Sequence, residues 1–208
     1  MIYIQKANRD INFKDCKGLN SITTFMLHME HISYNIINSL MKEENHIRGI
    51  AKELGINHMT ISRMIKDLAK NNVVDFKKEG KNKKYFIKKT IEARSHVIMA
   101  EHSKLIDTLI IYPRLRKIVK EIQNDKRIGL AILFGSYAKQ KVKKESDIDL
   151  YIKTKNTDIK KDISLLDSKL SIKIGEYNKE NRLIKEIEKK HVIIKGVEKY
   201  IEENGFFD

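Results

Sequence analysis

Residues 133–152 read LFGSYAKQKVKKESDIDLYI, and this stretch decides the fold of the carboxy-terminal half of the chain. The run from Ile128 to Phe134 is almost entirely apolar and leads directly into Gly135-Ser136. A short apolar run of this kind is typical of a central strand that is covered on both faces. The sequence therefore predicts a buried strand that ends at a Gly-Ser turn.

A second strand is predicted shortly afterwards. Ten residues separate Ser136 from Asp147, and carboxylate and apolar side chains then alternate from Asp147 to Ile152. Because successive side chains of a strand point to opposite faces, we expect Asp147 and Asp149 to share one face. Ile148 and Leu150 should then lie on the buried face.

These residue types suit phosphate and metal chemistry. Glycine lets the backbone approach a phosphate closely, and Ser136 offers a hydroxyl and an amide to its oxygens. A helix that begins after the turn would direct its amino terminus at the same anion. Two neighbouring carboxylates, Asp147 and Asp149, suit magnesium, which prefers oxygen ligands and substrate phosphates.

The same stretch resembles the sequence motif of the DNA polymerase beta nucleotidyltransferase superfamily, especially its minimal nucleotidyltransferases. The resemblance rests on the apolar strand, Gly135-Ser136 and the Ser-Asp-Ile-Asp-Leu run at 146–150. It implies that Gly135 and Ser136 bind the phosphates of a nucleoside triphosphate. It also implies that Asp147 and Asp149 are the catalytic residues and bind magnesium.

The next strand departs from this family pattern. Active members usually supply a third carboxylate from a neighbouring strand, whereas this chain reads LSIKI at 170–174, which places Lys173 at the expected position. A lysine there opposes metal binding, or pairs with a phosphate or with the aspartates. Glu176 and Glu180 are nearby substitutes, although Glu176 has the opposite strand parity unless Gly175 forms a bulge. Catalytic competence is therefore left open.

The amino-terminal half predicts three helices and a β-hairpin. Apolar residues at helical spacing indicate a first helix from about Phe25, a second helix that ends at Gly55, and a third helix capped by Asn57. Beyond Asn72 the apolar period falls to two on either side of a lysine-rich tip, which predicts the hairpin.

This order of elements resembles the winged helix-turn-helix of prokaryotic transcriptional regulators. The resemblance implies that the third helix enters the DNA major groove and that the hairpin wing meets the backbone. The DNA-binding residues expected from it are His58, Thr60, Ser62 and Arg63 on the helix, and Lys78, Lys81, Lys83 and Lys84 on the wing. A protein-interaction module whose lysines form only a solvated face is the alternative.

Composition supports a polyanionic partner. Lysine and arginine total 42 against 28 acidic residues, a formal net charge of +14, which favours nucleic acid first and nucleotides second. A generally charged surface, as in proteins from hot habitats, is the plainer explanation. The single cysteine, Cys16, forms no internal disulfide, and no apolar run is long enough to cross a membrane, so we expect a cytoplasmic protein.

The expected fold class is α+β, with a winged helix-turn-helix followed by a nucleotidyltransferase-fold domain that contains a mixed sheet. We divide the chain into an amino-terminal segment (1–24), a DNA-binding domain (25–90), a helical connector (91–125) and a nucleotidyltransferase-like domain (126–208). The only proline, Pro113, should interrupt the helical connector. Its apolar stretch and the two-fold symmetry of many DNA sites favour a homodimer.

Three functions fit this reading. The chain could be a DNA-binding transcriptional regulator whose second domain binds a magnesium nucleotide. Alternatively, it could be an active nucleotidyltransferase that transfers a nucleoside monophosphate to a protein, an RNA or a small molecule. A third alternative is a component of a toxin–antitoxin pair.

Overall fold

The computed structural model describes the backbone from Ser21 and the side chains from Met29, in both cases as far as Asp208. The edge strand predicted near Ile2 lies outside the described residues. The elements run in the order α1 (Ser21–Leu40), α2 (Ile47–Leu54), α3 (His58–Lys70), β1 (Val74–Glu79), β2 (Asn82–Ile87), α4 (Ile91–Ile111), α5 (Leu115–Asn124), β3 (Ala131–Phe134), α6 (Gly135–Ala138), β4 (Ile148–Lys153), α7 (Thr157–Ser164), β5 (Leu170–Gly175), α8 (Arg182–Lys189), β6 (Val192–Lys195) and α9 (Val197–Asn204). The α+β class is confirmed.

The ends of the first helices follow local sequence signals. Gly55 adopts a left-handed conformation (φ 67°) and closes α2, as expected of a residue without a Cβ. The side chain of Asn57 accepts a hydrogen bond from the Met59 backbone N–H at 2.8 Å and caps α3. Both predicted helix ends are confirmed, and α1 begins four residues before the predicted Phe25, at Ser21.

The hairpin forms the wing of a winged helix. Strands β1 and β2 pair antiparallel, with Phe76 opposite Tyr85. The chain between α1 and α2 adds one bridge to the same sheet, because Asn45 and Tyr85 exchange backbone hydrogen bonds of 3.1 and 2.9 Å. This bridge ties the wing to the helices. The predicted order of three helices and a hairpin is confirmed.

A break at Pro113 divides the connector into two helices. Helix α4 ends at Ile111, and α5 begins at Leu115. Proline has no N–H to continue the helical hydrogen bonds, and it disfavours the helical conformation of the residue before it. The predicted interruption is confirmed.

The second sheet is mixed, with the strand order β5-β4-β3-β6. Strand β3 pairs antiparallel with both β4 and β6, and β4 pairs parallel with β5. All four residues of β3 are buried, in agreement with the predicted central strand. The nearly continuous apolar run therefore reflects a strand covered on both faces.

One face of this sheet shares a hydrophobic core with the winged helix. Ile132 and Phe134 of β3 belong to the same cluster of buried residues as Ile36 of α1 and Val97 of α4, whereas Leu133 packs in a second cluster on the opposite face. Helix α4 contacts both α1 and β6. The buried core therefore runs across the domain division predicted from the sequence.

A buried charged cluster lies at this junction. The Glu101 carboxylate on α4 is 3% exposed, with Lys104 Nζ at 2.6 Å and His191 Nε2 at 3.6 Å. Burial alone would raise the pKa of Glu101, but the positive charge of Lys104 and the approach of His191 outweigh it and lower the pKa to about 2. His191 also donates from Nδ1 to the Ile187 carbonyl at 3.0 Å, which gives this histidine a structural role.

Helix α9 is absent from the prediction made from the sequence. Its buried residues Val197, Tyr200 and Ile201 have helical spacing, and Gly196 and Gly205 lie at its two ends. Over the described residues, no helix has the length and apolar character needed to span a bilayer.

Candidate functional site

Gly135 stands at the junction of β3 and α6 in a conformation that excludes other residues. Its φ is 67°, and a Cβ atom added there would lie 2.1 Å from Asp149 Oδ2. Left-handed backbone is strained for residues with a side chain, and no real contact is this short. The Asp149 carboxylate therefore fills the space beside Gly135. This position of the carboxylate requires a residue without a side chain at 135.

The sheet fixes the position of Asp149. On β3 its partner is Phe134, the residue before Gly135, and on β5 its partner is Ser171. Asp147 lies just before β4 and is exposed, whereas Asp149 is half-buried. Ile148 and Leu150 are both fully buried, so the alternation predicted from the sequence is confirmed for the strand.

Burial and neighbouring carboxylates raise the pKa of Asp149. Burial raises the pKa of this carboxyl, and the negative charges of Asp147 and Glu186 raise it further. Ser171 and Lys173 act in the opposite direction without reversing the shift. A cation bound between Asp147 and Asp149 would relieve this repulsion.

The residue level with Asp149 on β5 is Ser171, and Lys173 lies one step further along the same face, opposite Tyr151. Both side chains act on the Asp149 carboxyl and oppose the rise of its pKa, and Lys173 stays the residue predicted for the third-carboxylate position. The register of these two parallel strands could not be obtained from the sequence because tertiary packing sets it. Neither residue is an acid.

Two glutamates considered as substitutes are engaged elsewhere. Glu176 forms ion pairs with Lys153 at 3.9 Å and Lys155 at 3.5 Å, and Glu180 pairs with Lys185 at 2.9 Å. The acid that acts on Asp149 besides Asp147 is Glu186 on α8, which the sequence reasoning missed. The apolar spacing of α8 could have indicated it. Ile184 and Ile187 are the buried residues of this helix, so Glu186 falls on its exposed side.

The Gly-Ser turn is followed by a shorter helix than expected. Helix α6 comprises four residues and begins at Gly135 itself, so it is a single turn without a developed dipole. Ser136 is half-buried at its start, and Tyr137 is buried against Tyr112, with ring centroids 5.0 Å apart. Phosphate binding here would therefore depend on the local backbone and the Ser136 hydroxyl, and the expected contribution of a helix amino terminus is not supported.

The two carboxylates of the site fit a magnesium ion that takes only one or two ligands from the protein. In the described part of the chain, no group of three or more His, Cys, Asp or Glu side chains is arranged to hold a metal ion. Magnesium commonly binds through one or two carboxylates, with water and substrate phosphates completing its shell. Asp147 and Asp149 meet that requirement, and the raised pKa of Asp149 is consistent with it.

The predicted DNA-contacting residues of α3 do not form a single row. His58 and Arg63 are exposed, whereas Thr60 and Ser62 are half-buried. The Arg63 guanidinium lies 3.5 Å from the sulfur of Met29 on α1. Met59, 66% exposed, and the exposed Lys66 occupy the centre of the solvent-facing side. We therefore add these two residues to the candidate DNA-contacting face.

The wing brings the predicted lysines together. Lys78 faces Lys83 across the hairpin, and Lys77 faces Lys84. Lys84 Nζ lies 3.9 Å from Glu79, and Lys83 Nζ lies 3.8 Å from the centre of the Phe76 ring. Lys81 is exposed at the tip beside Gly80. Like charges directly opposite each other destabilise a hairpin, so an anion bound along the wing would stabilise it.

The close approach of Asp149 to Gly135 predicts that a methyl group added at position 135 destabilises the protein. Gly135→Ala should lower the free energy of unfolding by roughly 3 kcal/mol, because left-handed strain and overpacking against Asp149 add together. The measurement is denaturant unfolding followed by circular dichroism.

Gly80→Ala is the matched control, because Gly80 has a φ of 60° and no atom within 4 Å of an added Cβ. It should cost only about 1 to 2 kcal/mol for the backbone strain. Asp149→Ala should restore part of the loss in the Gly135→Ala variant. Equal losses for the two glycine variants would show that Asp149 does not fill the space beside Gly135.

Several solved structures are weakly similar to the amino-terminal part of this chain. The transcriptional repressor BigR from Xylella fastidiosa is 14% identical with a TM-score of 0.30, over 41% of this chain and 75% of its own. The adhesin competence repressor AdcR from Streptococcus pyogenes is 18% identical with a TM-score of 0.36. The match covers 56% of this chain and 79% of that one. The third structure is the homodimeric winged helix-turn-helix DNA-binding domain of a possible ArsR-family transcriptional regulator from Mycobacterium bovis. It is 19% identical with a TM-score of 0.27, and the match covers 48% of this chain and 94% of that one.

No curated protein matches the chain. Residues 116–199 match the model of the family described as Polymerase beta, Nucleotidyltransferase. This stretch contains Gly135, Ser136 and both aspartates of the site described above. Residues 116–199 are therefore similar to the polymerase beta nucleotidyltransferase family, and they follow three helices and a hairpin in the order of a winged helix-turn-helix.

Proposed function

We propose that this protein is a DNA-binding transcriptional regulator whose nucleotidyltransferase domain binds a magnesium nucleoside triphosphate. The observation that carries the nucleotide site is the contact of the Asp149 carboxylate with Gly135, beside Asp147. This contact supports a nucleotide site at the Gly135-Ser136 turn, because it brings Asp149 to the turn and Asp147 lies close enough to raise the pKa of Asp149.

Each residue of the site has a distinct role in this proposal. Gly135 leaves room for Asp149, and the Ser136 hydroxyl and backbone receive a phosphate oxygen. Asp147 and Asp149 would hold magnesium, which neutralises the triphosphate when it is bound. Lys173, on the same strand face as Ser171, offers a positive charge to the bound phosphates.

The absence of an acid at Ser171 and Lys173 favours a binding role over turnover. In nucleotidyl transfer a carboxylate at this place completes the metal site or takes the proton of the attacking group, and a lysine cation can do neither. An active nucleotidyltransferase that modifies a protein, an RNA or a small molecule is the alternative supported by the intact aspartate pair. A toxin–antitoxin component is the third alternative, and no residue of the site distinguishes it.

DNA binding is supported by two charged surfaces of the winged helix. Exposed residues of α3 suit contacts in the major groove, and the wing lysines suit sequence-independent contacts to phosphates. The facing lysines Lys78 and Lys83, together with Lys81 at the tip, place positive charge on a short hairpin, whereas Lys77 is paired with Glu44.

Removal of two wing lysines should weaken duplex binding and its dependence on salt. For Lys78→Gln/Lys81→Gln, we expect the slope of log K against log salt to fall by about 2 in magnitude, because each phosphate contact contributes about 0.9. Fluorescence anisotropy over a salt series measures it. Lys117→Gln/Lys120→Gln, which removes the same charge from the exposed side of α5, should leave the slope nearly unchanged. Equal effects of the two double variants would contradict a specific role for the wing.

Labelled nucleoside triphosphates distinguish the regulator from the enzyme. With magnesium, the regulator should retain nucleotide by filter binding and transfer no label to itself, to RNA or to partner proteins. Asp147→Asn/Asp149→Asn should abolish the retention because the metal ligands lose their charge. Label transfer by the natural chain that the double substitution abolishes would establish the enzyme instead. Transfer or retention that survives the substitution would reject the carboxylate site.

We also propose that the protein is a homodimer that pairs through α4. Met99, Ile106 and Ile110 lie on one side of this helix and are 40%, 59% and 66% exposed. Ile106→Glu should convert a dimer to a monomer, as measured by sedimentation velocity at micromolar concentration, because it buries a charge in the interface. Leu165→Glu is the control, since Leu165 is 86% exposed outside α4. A natural chain that sediments as a monomer would reject the proposal.

A further inference from the structure

The side chain of His46 joins the wing tip to the start of α2. His46 lies at the amino-terminal cap position of this helix and directs one ring nitrogen to each strand of the hairpin. Its Nδ1 atom lies 2.8 Å from the Lys83 carbonyl oxygen on β2, and its Nε2 atom lies 3.0 Å from the Glu79 carboxylate on β1. Both contacts lie beside the turn at Gly80 and Lys81. His46 therefore holds the end of the wing that carries the predicted phosphate contacts.

The residues ahead of His46 fix its backbone against the wing. Asn45 exchanges backbone hydrogen bonds with β2, and its Oδ1 atom accepts a hydrogen bond from the His46 N–H at 2.8 Å. A Cβ atom added at Gly49 would lie 2.1 Å from the same Oδ1 atom, so the Asn45 side chain lies against the first turn of α2. Glu44 forms an ion pair with Lys77 on β1. This segment is thus joined to both strands, which sets the position of the imidazole ring.

The two contacts of the ring require a proton on each nitrogen. A carbonyl oxygen and an ionised carboxylate only accept hydrogen bonds, so each of them needs a donor. Neutral imidazole has one N–H and can serve the Lys83 carbonyl alone, whereas the imidazolium ion donates to Glu79 as well. Loss of one proton would turn the Nε2 lone pair towards the carboxylate. The doubly protonated form of His46 therefore fits this arrangement.

Glu79 places a negative charge among the lysines of the wing tip. His46 approaches its Oε2 atom, and Lys84 Nζ lies 3.9 Å from its Oε1 atom. Two other lysines of the wing are engaged away from Glu79, Lys77 by Glu44 and Lys83 by the Phe76 ring. Among the described residues, loss of the His46 charge leaves Glu79 an ion pair with Lys84 only. The net charge of the tip therefore depends on the protonation of His46.

We propose that His46 is a positioning residue for duplex DNA, and that its imidazolium form holds the wing tip beside α2 and neutralises Glu79. This inference rests on the proposed DNA binding by the winged helix. Without that charge, Glu79 repels the phosphates that Lys81 and Lys83 contact. DNA binding is then linked to uptake of a proton, so the affinity is highest when His46 is protonated. It falls as the pH rises through the range in which histidines lose their proton, about pH 5 to 8.

The test is fluorescence anisotropy of the full chain with duplex DNA at one salt concentration, from about pH 5.5 to 8.5. The natural chain should bind about three- to fivefold more weakly at the upper end, as expected for one exposed ion pair. His46→Gln should bind with the weaker affinity at every pH and lose this part of the pH dependence. Glu79→Gln should flatten the profile as well, because it removes the carboxylate that favours the imidazolium.

His46→Arg separates the charge from a general structural effect. Arginine keeps a positive charge and several N–H donors at every pH, so this variant should bind tightly over the whole range. Binding by His46→Arg at alkaline pH that is no tighter than that of His46→Gln would overturn the inference. His58 on α3 adds its own pH dependence to every chain, so the difference between chains reports His46.

His31→Gln is the matched control. His31 on α1 forms a histidine–carboxylate pair with Asp107 at 3.8 Å, and its side chain is 39% exposed against 37% for His46. Because this pair lies outside the wing, the variant should keep the pH profile of the natural chain. A natural chain that binds no duplex at any pH would reject the proposed DNA-binding function itself. Duplex binding with the same pH profile in His46→Gln as in the natural chain would reject the role of His46 alone.

Nuclear magnetic resonance tests the contact in the free protein. Long-range proton–nitrogen correlation spectra should show both ring nitrogens of His46 protonated at acid pH. At alkaline pH the remaining proton should stay on Nδ1, because the Lys83 carbonyl accepts a hydrogen bond from that atom. A proton that stays on Nε2 instead would overturn the proposed contact, whatever the DNA measurements show.

Discussion

The contact of Asp149 with Gly135 is the constraint on which the candidate site depends. The carboxylate fills the place of a side chain at Gly135, so the end of β3 and the start of β4 are held together at the point where phosphate and metal would meet. The pairing of Phe134 with Asp149 and the burial of Tyr137 fix the same junction from both sides. A glycine is required here by space as well as by backbone conformation.

The same constraint has an electrostatic consequence. A half-buried carboxylate beside Asp147 and within the influence of Glu186 disfavours its own ionisation. A bound cation would offset this repulsion, which supports the proposed magnesium site.

The shared core gives the two halves a physical connection. Helix α4 packs on α1 of the winged helix and on β6 of the nucleotidyltransferase domain, and its buried Glu101 meets His191 at that junction. The face of the sheet that carries Asp149 also carries Tyr151, which lies in the core shared with the winged helix. Packed residues therefore connect the proposed nucleotide site to the winged helix, which is compatible with the proposed regulator.

Much of the fold followed from local pattern. The two-residue period predicted that Ile148 and Leu150 are buried, Pro113 predicted the break in the connector, and Asn57 predicted the cap of α3. Each of these predictions depends only on residues that are neighbours in the chain. Ser171 as the neighbour of Asp149 could not be obtained in this way, since strand register is set by tertiary packing. Glu186 was missed for the same reason, because its approach to Asp149 depends on how α8 packs in the tertiary structure.

The most direct measurement is calorimetric titration with a non-hydrolysable nucleoside triphosphate, with magnesium and with EDTA, for the natural chain and Asp149→Asn. Binding that requires magnesium in the natural chain and is lost in Asp149→Asn is the predicted result, because the carboxylate beside Gly135 would hold the metal. Equal affinity of the two chains in magnesium would contradict the account.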